Sequence, residues 1–128
     1  MTGGLTYDSG ALIAAERNQH RIWAIHIKAL VRGVTPVVPA GVLAEVYRSG
    51  SQVNLARLLK ACAVEPLDAD KARRAGALLG LCSISPGAVD ASVAEGALRR
   101  GETVVTGNAE HIRALADGAG RKLAVIPI

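Results

Sequence analysis

The chain has no phenylalanine, and its aromatic side chains amount to one Trp and two Tyr among 128 residues. Gripping unstructured single strands by base stacking needs aromatic platforms, so any nucleic acid would have to be held by charge and shape. Cysteine is scarce as well. Cys62 and Cys82 stand in no Cys-x-x-Cys or Cys/His pattern, which argues against a zinc site, a redox pair or a disulfide framework and fits a reducing cytoplasm. No apolar run approaches the roughly 20 residues needed to span a bilayer, and Asp8 and Glu16 fall where a signal peptide would need an uncharged core. The protein is therefore expected to be soluble and unexported. Also missing are a G-x-x-x-x-G-K-[ST] phosphate loop, a G-x-G-x-x-G after a strand and a His-Glu-x-x-His. Asp8-Ser9-Gly10 lacks the second aspartate, two positions on, of the common aspartyl phosphatases.

Half of the residues are hydrophobic, enough at this length to fill one core without staples, so residues 1–128 are expected to form a single domain. A formal charge of +4 and a pI near 9.5 lean towards an acidic partner. Basic residues are scattered, and no internal repeat or linker is evident.

Strands and helices alternate along the chain. Leu5-Thr6-Tyr7 reads as a strand, and Asp8-Ser9-Gly10 opens a helix. A second helix spans Gln19 to Leu30, with Gly33 as its stop. The β-branched run Val34 to Val38 predicts a strand ended by Pro39 and followed by a helix from Ala40 to Arg48. Ser49-Gly50-Ser51 is a break. Gln52 to Ala61 predicts a helix, Ala63 to Leu67 a strand, and Asp68 an N-cap for a helix reaching to about Cys82. After a loop from Ser83 to Gly87, Ala88 to Arg100 is helical and Gly101 closes it. Glu102 to Thr106, Ala109 to Ala116 and Lys122 to Ile126 complete the order as strand, helix and strand. This alternation predicts an α/β fold with a mostly parallel central sheet of four or five strands, whose ligands sit beyond the carboxyl ends of the strands.

Two polar residues fall at such ends: Asp8 directly after the first strand, and Asn108 after Thr103 to Thr106 with Gly107 between. A third acid, Asp90, lies near the centre of the apolar helix face formed by Val93, Ala94, Ala97 and Leu98, whereas Glu95 and Arg99 are expected on the solvated side. A lone buried carboxylate is costly and tends to take up a proton, but converging carboxylates become favourable around a divalent cation. Oxygen donors select hard ions, so Mg2+ or Mn2+ is expected, with phosphodiester hydrolysis as the chemistry such an ion serves. Each residue alone has an ordinary reading too. Asp8 and Asp90 suit helix caps, Asn108 suits a turn, and Glu45 lies off the stripe of Val42, Leu43, Val46 and Tyr47, within reach of Arg48. His111 could approach a phosphate, but beside Ile112 it reads rather as a packing or surface residue. The spacing Gly76-Ala-Leu-Leu-Gly80 reads as close helix packing, or a dimer face.

Taken in order, Leu5-Thr6-Tyr7-Asp8-Ser9-Gly10-Ala11-Leu12, Ala44-Glu45-Val46, Asp90-Ala91-Ser92-Val93-Ala94 and Thr106-Gly107-Asn108-Ala109-Glu110-His111-Ile112 resemble the motifs of PIN domains, over nearly the whole chain. The resemblance implies a PIN-like fold and a magnesium-dependent endoribonuclease of the VapC type, the toxin of a toxin–antitoxin pair. It assigns Asp8 and Asp90 as metal ligands, Glu45 to orient a metal-bound water or act as base, Asn108 to the fourth site position, and Ser9 and Thr106 as supporting hydroxyls. Asn108 departs from the aspartate of many members, which weakens or removes a second metal site. With Asp8, Glu45 and Asp90 neutralised by metal, 15 basic side chains stand against 8 acidic ones. Arg17, Arg21, Lys28, Arg48, Arg99, Arg100 and Arg113 are candidates for phosphate contact, each being equally an ordinary solvated charge. The resemblance further implies a structured RNA substrate such as a tRNA or rRNA loop, a homodimer, and a cognate antitoxin that contacts Trp23, Ile27 and Leu43, residues that equally suit the core. Two rivals stand beside it: a catalytically weak partner-binding module in a DNA-bound repressor complex, and a hydrolase of small phosphate esters.

Overall fold

The computed structural model describes residues 3–128. Five strands, β1 (Leu5–Tyr7), β2 (Val37–Pro39), β3 (Ala63–Glu65), β4 (Thr103–Thr106) and β5 (Val125–Pro127), form one sheet in the order β3-β2-β1-β4-β5. Every pairing is parallel, so the expected mostly parallel sheet is wholly so. Among the described residues seven helices connect the strands: α1 (Ser9–Glu16), α2 (His20–Val31), α3 (Ala40–Val46), α4 (Val53–Leu59), α5 (Ala69–Leu81), α6 (Ala88–Arg100) and α7 (Ala109–Gly118).

Successive strand residues point to opposite faces, and β1 shows what covers each. The Tyr7 hydroxyl reaches His26 on α2, while Thr6 reaches Glu102 and Arg100 at the end of α6. The main core gathers Tyr7, Leu12, Ile22, Val38, Leu58, Val93, Val104 and Ile112, all with no exposed surface. The sheet is built outward from β1, first to β2 and β3 on one side, then by the long α5–α6 crossover to β4 and β5 on the other. The crevice beyond the carboxyl ends of β1 and β4 is therefore the switch point at which such sheets bind ligands.

Helix α6 matches its expected span and closes on Gly101 (φ 68°). Asp68 caps α5 by accepting from the Lys71 N–H. Three strands start later than expected, β4 by the single residue Glu102 and β2 and β5 by three residues each. Gly33 and Gly120 take φ of 77° and 67°, and the residues after them, Val34 and Arg121, return N–H bonds to Ala29 and Ala116. This six-to-one closure commits those residues to ending helices, so β2 begins at Val37 and β5 at Val125. Helix α3 stops at Val46 because Tyr47 is already extended, and the Gln52 side chain accepts from the Arg48 N–H. Among the described residues no helix is long and apolar enough to cross a membrane. Both cysteines are free, and burial pushes the Cys62 thiol up to about 12. A Cβ on Gly76 or Gly80 would meet nothing, so the close packing expected of that pair is not found among the described residues.

Candidate active site

Asp8 leaves β1 in extended geometry and is 3% exposed. Its N–H still bonds to Val105, which continues the β1–β4 ladder one residue past the strand. Oδ1 accepts from the Ser9 N–H at 2.7 Å, so the helix-cap and site readings of Asp8 describe one conformation. Oδ2 accepts from Thr106 Oγ1 at 2.6 Å. The direction of that bond is fixed by chemistry, because Thr106 Oγ1 also accepts from the Asn108 N–H at 2.9 Å and so turns its proton to Asp8. Burial raises the Asp8 carboxyl above its ordinary value, the Thr106 and Ser9 bonds oppose that rise, and the neighbouring charges of Asp90 and Glu45 add to it. Asp8 therefore feels the charge of two carboxylates distant from it in sequence.

Glu45, exposed on α3, is tied in by a hydrogen bond from Ser9 Oγ rather than by Arg48, which donates instead to the carbonyls of Ala44 and Tyr47. Helix α3 comes close to α6 at Gly41, where an added Cβ would lie 3.3 Å from Val89, next to Asp90. Asp90 sits in the first turn of α6, its side chain 24% exposed, with Oδ2 3.6 Å from His111 Nδ1. Asn108 Nδ2 is 2.8 Å from the same nitrogen. His111 Nδ1 thus hydrogen-bonds to Asn108 and lies near Asp90 while its side chain stays 40% exposed, so it is a surface residue, as expected, at the edge of the site. The spacing of three was the available signal for the Asn108 contact, since residues i and i+3 share a helix face.

Two glycines are also part of the site. A Cβ on Gly10 would stand 2.6 Å from Gly107 N and 2.9 Å from its Cα. The first turn of α1 and the β4–α7 turn thus meet backbone to backbone, and this contact brings Asp8 and Asn108 together.

The basic candidates divide. Arg99 and Arg100 are committed to ion pairs: Arg99 with Glu65 (2.6 Å) and Glu95 (2.9 Å), Arg100 with Glu65 (2.7 Å) and Glu102 (2.8 Å). Burial would raise the Glu65 carboxyl, but hydrogen bonds and charge from Arg99 and Arg100 outweigh it and hold it below its ordinary value. Glu95, expected to be solvated, is 8% exposed because Arg99 neutralises it. Arg21 donates to the Pro127 carbonyl. Arg17, Lys28 and Arg113 form no ion pair among the described residues. Trp23 packs against the core, donates to the Ala15 carbonyl and lies under Arg57, and Leu43 also packs on the core, whereas Ile27 is 57% exposed.

Among the described residues no three His, Cys, Asp or Glu side chains form a ready-made ion cage. The donor set of carboxylates, hydroxyls and an amide nevertheless fits Mg2+, which binds through one or two carboxylates and keeps several waters.

No protein-family model matches the sequence, and no curated protein matches it. Solved structures do match. A chain of VapBC2 from Rickettsia felis bound to a DNA fragment from their promoter superposes with a TM-score of 0.73 at 18% identity, over 97% of this chain and 98% of that one. FitAB bound to an IR36 DNA fragment gives 0.66 at 17% identity, covering 96% and 94%. FitAcB from Neisseria gonorrhoeae gives 0.62 at 18% identity, covering 95% and 96%. These likenesses, at such identities, establish the fold.

Proposed function

With the PIN-like fold as premise, we propose that this chain is a metal-dependent endoribonuclease, the toxin member of a toxin–antitoxin pair. The observation that carries the proposal is that the charges of Asp90 and Glu45 both reach the buried Asp8 just past the carboxyl end of β1, at the sheet's switch point. Asp8 and Asp90 would hold Mg2+ or Mn2+, which when bound lowers the pKa of its water and stabilises charge on the phosphoryl group. Glu45, exposed and hydrogen-bonded by Ser9, would accept a proton from the attacking water. Thr106 and the Ser9 N–H hold the Asp8 carboxylate in one orientation. Asn108 contributes an amide where a fourth charge would favour a second ion, so the site suits one-metal chemistry. The basic balance of the chain supports an RNA substrate, with a structured tRNA or rRNA loop as the proposed target. A cytoplasmic location, a homodimer and an antitoxin that covers the site complete the proposal. The structures of VapBC2, bound to a DNA fragment from their promoter, and of FitAB, bound to an IR36 DNA fragment, support the partner.

The test is Mg2+-dependent RNA cleavage by the wild type and by Asp90→Asn, together with sequencing of RNA ends after induced expression. Cleavage by the wild type alone, at discrete sites, is expected. Equal cleavage by both, or by neither at high enzyme, overturns the nuclease reading. A second reading, a partner-binding module in a DNA-bound repressor complex, is favoured by Asn108 and by the DNA in those two structures. It predicts no cleavage, with DNA affinity gained only in the presence of the partner.

A further inference from the structure

A pocket of about 220 Å³ opens beside the carboxylate cluster, walled by Ile13, Glu16, Arg17, Glu45, Val46, Arg48 and Gln52, the Glu16 carboxylate being engaged by a backbone N–H of α4. Its frame is fixed by bonds that are internal to the protein. Glu16 Oε1 accepts from the Leu55 N–H at 3.0 Å, and its carbonyl accepts from Asn54 Nδ2, which joins α1 to α4. Gln52 accepts from the Arg48 N–H and donates to the Val46 carbonyl, each at 2.9 Å, which pins the segment after α3. The two guanidinium groups are spent differently. Arg48 uses Nη1 on the Tyr47 and Ala44 carbonyls, while Arg17 is exposed and has no side-chain partner among the described residues. Neither pairs with Glu45, although all three line the same pocket.

We infer that this pocket holds the nucleotide adjacent to the scissile phosphate, with Arg17 and Arg48 binding its phosphate and Ile13 and Val46 meeting its sugar or base. The inference rests on the ribonuclease reading and adds a subsite to it. Three features select this occupant. Glu45 belongs to both the carboxylate cluster and the pocket wall, so a strand leaving the cluster on that side enters the pocket directly. Guanidinium donors match phosphate oxygens, often in bidentate pairs. The volume lies below the range of pockets that enclose drug-sized molecules, which suits one unit of a polymer that continues past it.

The test uses bulk transfer RNA as probe. In the Asp90→Asn background, expected to bind without cutting, RNA affinity is measured across a KCl series with and without Arg17→Gln and Arg17→Gln/Arg48→Gln. Each lost phosphate contact is expected to flatten the slope of log affinity against log salt by about 0.7–0.9. In the active chain, the same substitutions are expected to raise KM about tenfold or more with kcat changed far less, since a flanking contact binds substrate and transition state alike. Arg17→Gln removes no internal bond, so it keeps the test valid if Arg48→Gln loosens α3. An unchanged slope and KM in a folded, cleaving Arg17→Gln/Arg48→Gln overturns the subsite while leaving the nuclease reading standing. Absence of cleavage by the wild type overturns the nuclease reading itself, and the subsite with it.

Discussion

Thr106 Oγ1 donates to Asp8 Oδ2 at 2.6 Å across the β1–β4 pair while it accepts from the Asn108 N–H at 2.9 Å. One fully buried hydroxyl thereby sets the orientation of the carboxylate and of the turn that carries Asn108. Thr106→Val keeps the shape and removes both bonds, leaving a buried acceptor and a backbone donor short of a partner. A loss of about 1–3 kcal/mol in folding stability is expected, with Thr106→Ser close to wild type. Because the Thr106 bond holds the Asp8 carboxyl down, its removal is also expected to move the acid limb of the cleavage rate to higher pH. Denaturant unfolding and a pH–rate profile check the two halves, and a Thr106→Val chain as stable as wild type refutes the first.

Asp8 itself links stability to pH and to metal. Its folded carboxyl is raised above the ordinary 3.8, chiefly by burial. The folded state therefore holds that proton more tightly than the unfolded state does. Its contribution to stability is full below 3.8 and is lost as pH rises through the folded value. A hard divalent ion reverses the cost by favouring the ionised form. At neutral pH, Mg2+ at 100 times its Kd is expected to stabilise the wild type by about 2.7 kcal/mol, which is a rise in Tm of roughly 10 °C for a chain of this size. Asp8→Asn should show little of this rise. An equal Mg2+ response in wild type and Asp8→Asn would exclude Asp8 as a ligand.

A second pH dependence has the opposite sign and lies away from the site. His26, 2% exposed, shares a 2.8 Å hydrogen bond with Tyr7 and packs edge-on to Trp23. Burial lowers its pKa from 6.5. Unfolded His26 takes up a proton near 6.5, folded His26 only at lower pH, so this contribution is complete above 6.5 and is lost as pH falls below it. Thermal unfolding followed through that window should show a decline in the wild type that is shallower in His26→Gln. Parallel curves would assign the decline to other groups.

What could be read from the sequence follows from the range of the interactions. Helix α6 and its glycine stop were legible because periodicity and capping are local. The starts of β2 and β5 were not, since Val34 is as β-prone as the residues after it and only the bond back to Ala29 shows that it ends a helix. That Glu45, Asp90 and Asn108 belong with Asp8 was an expectation drawn from their order alone, since each by itself had an ordinary reading. Glu95 misled the wheel argument because its neutralising partner, Arg99, is itself held by Glu65, 34 residues away. The pairing of Arg99 and Arg100 with three glutamates was invisible for the same reason, as was the meeting of Gly10 with Gly107. Such contacts have no period, and only the topology brings their partners together.

The Gly10–Gly107 contact gives the most local test of how the fold makes the site. A Cβ on Gly10 meets backbone at 2.6 Å, and no rotamer change can relieve a clash with backbone. Alanine is the better helix former by about 1 kcal/mol, so propensity alone predicts that Gly10→Ala stabilises α1. The clash is expected to outweigh that gain, leaving a net loss of about 1–3 kcal/mol as the β4–α7 turn is pushed away. Asn108 and His111 move with that turn, and a displacement of about 1 Å at a reacting centre can cost 100-fold in rate. Gly76→Ala is the control, because a Cβ there meets nothing and the position is inside α5. Unfolding free energies and cleavage rates of both variants separate the contributions: Gly76→Ala should be slightly stabilised and fully active. Gly10→Ala should lose both stability and rate, and a stabilised, active Gly10→Ala would show that the site does not depend on that approach.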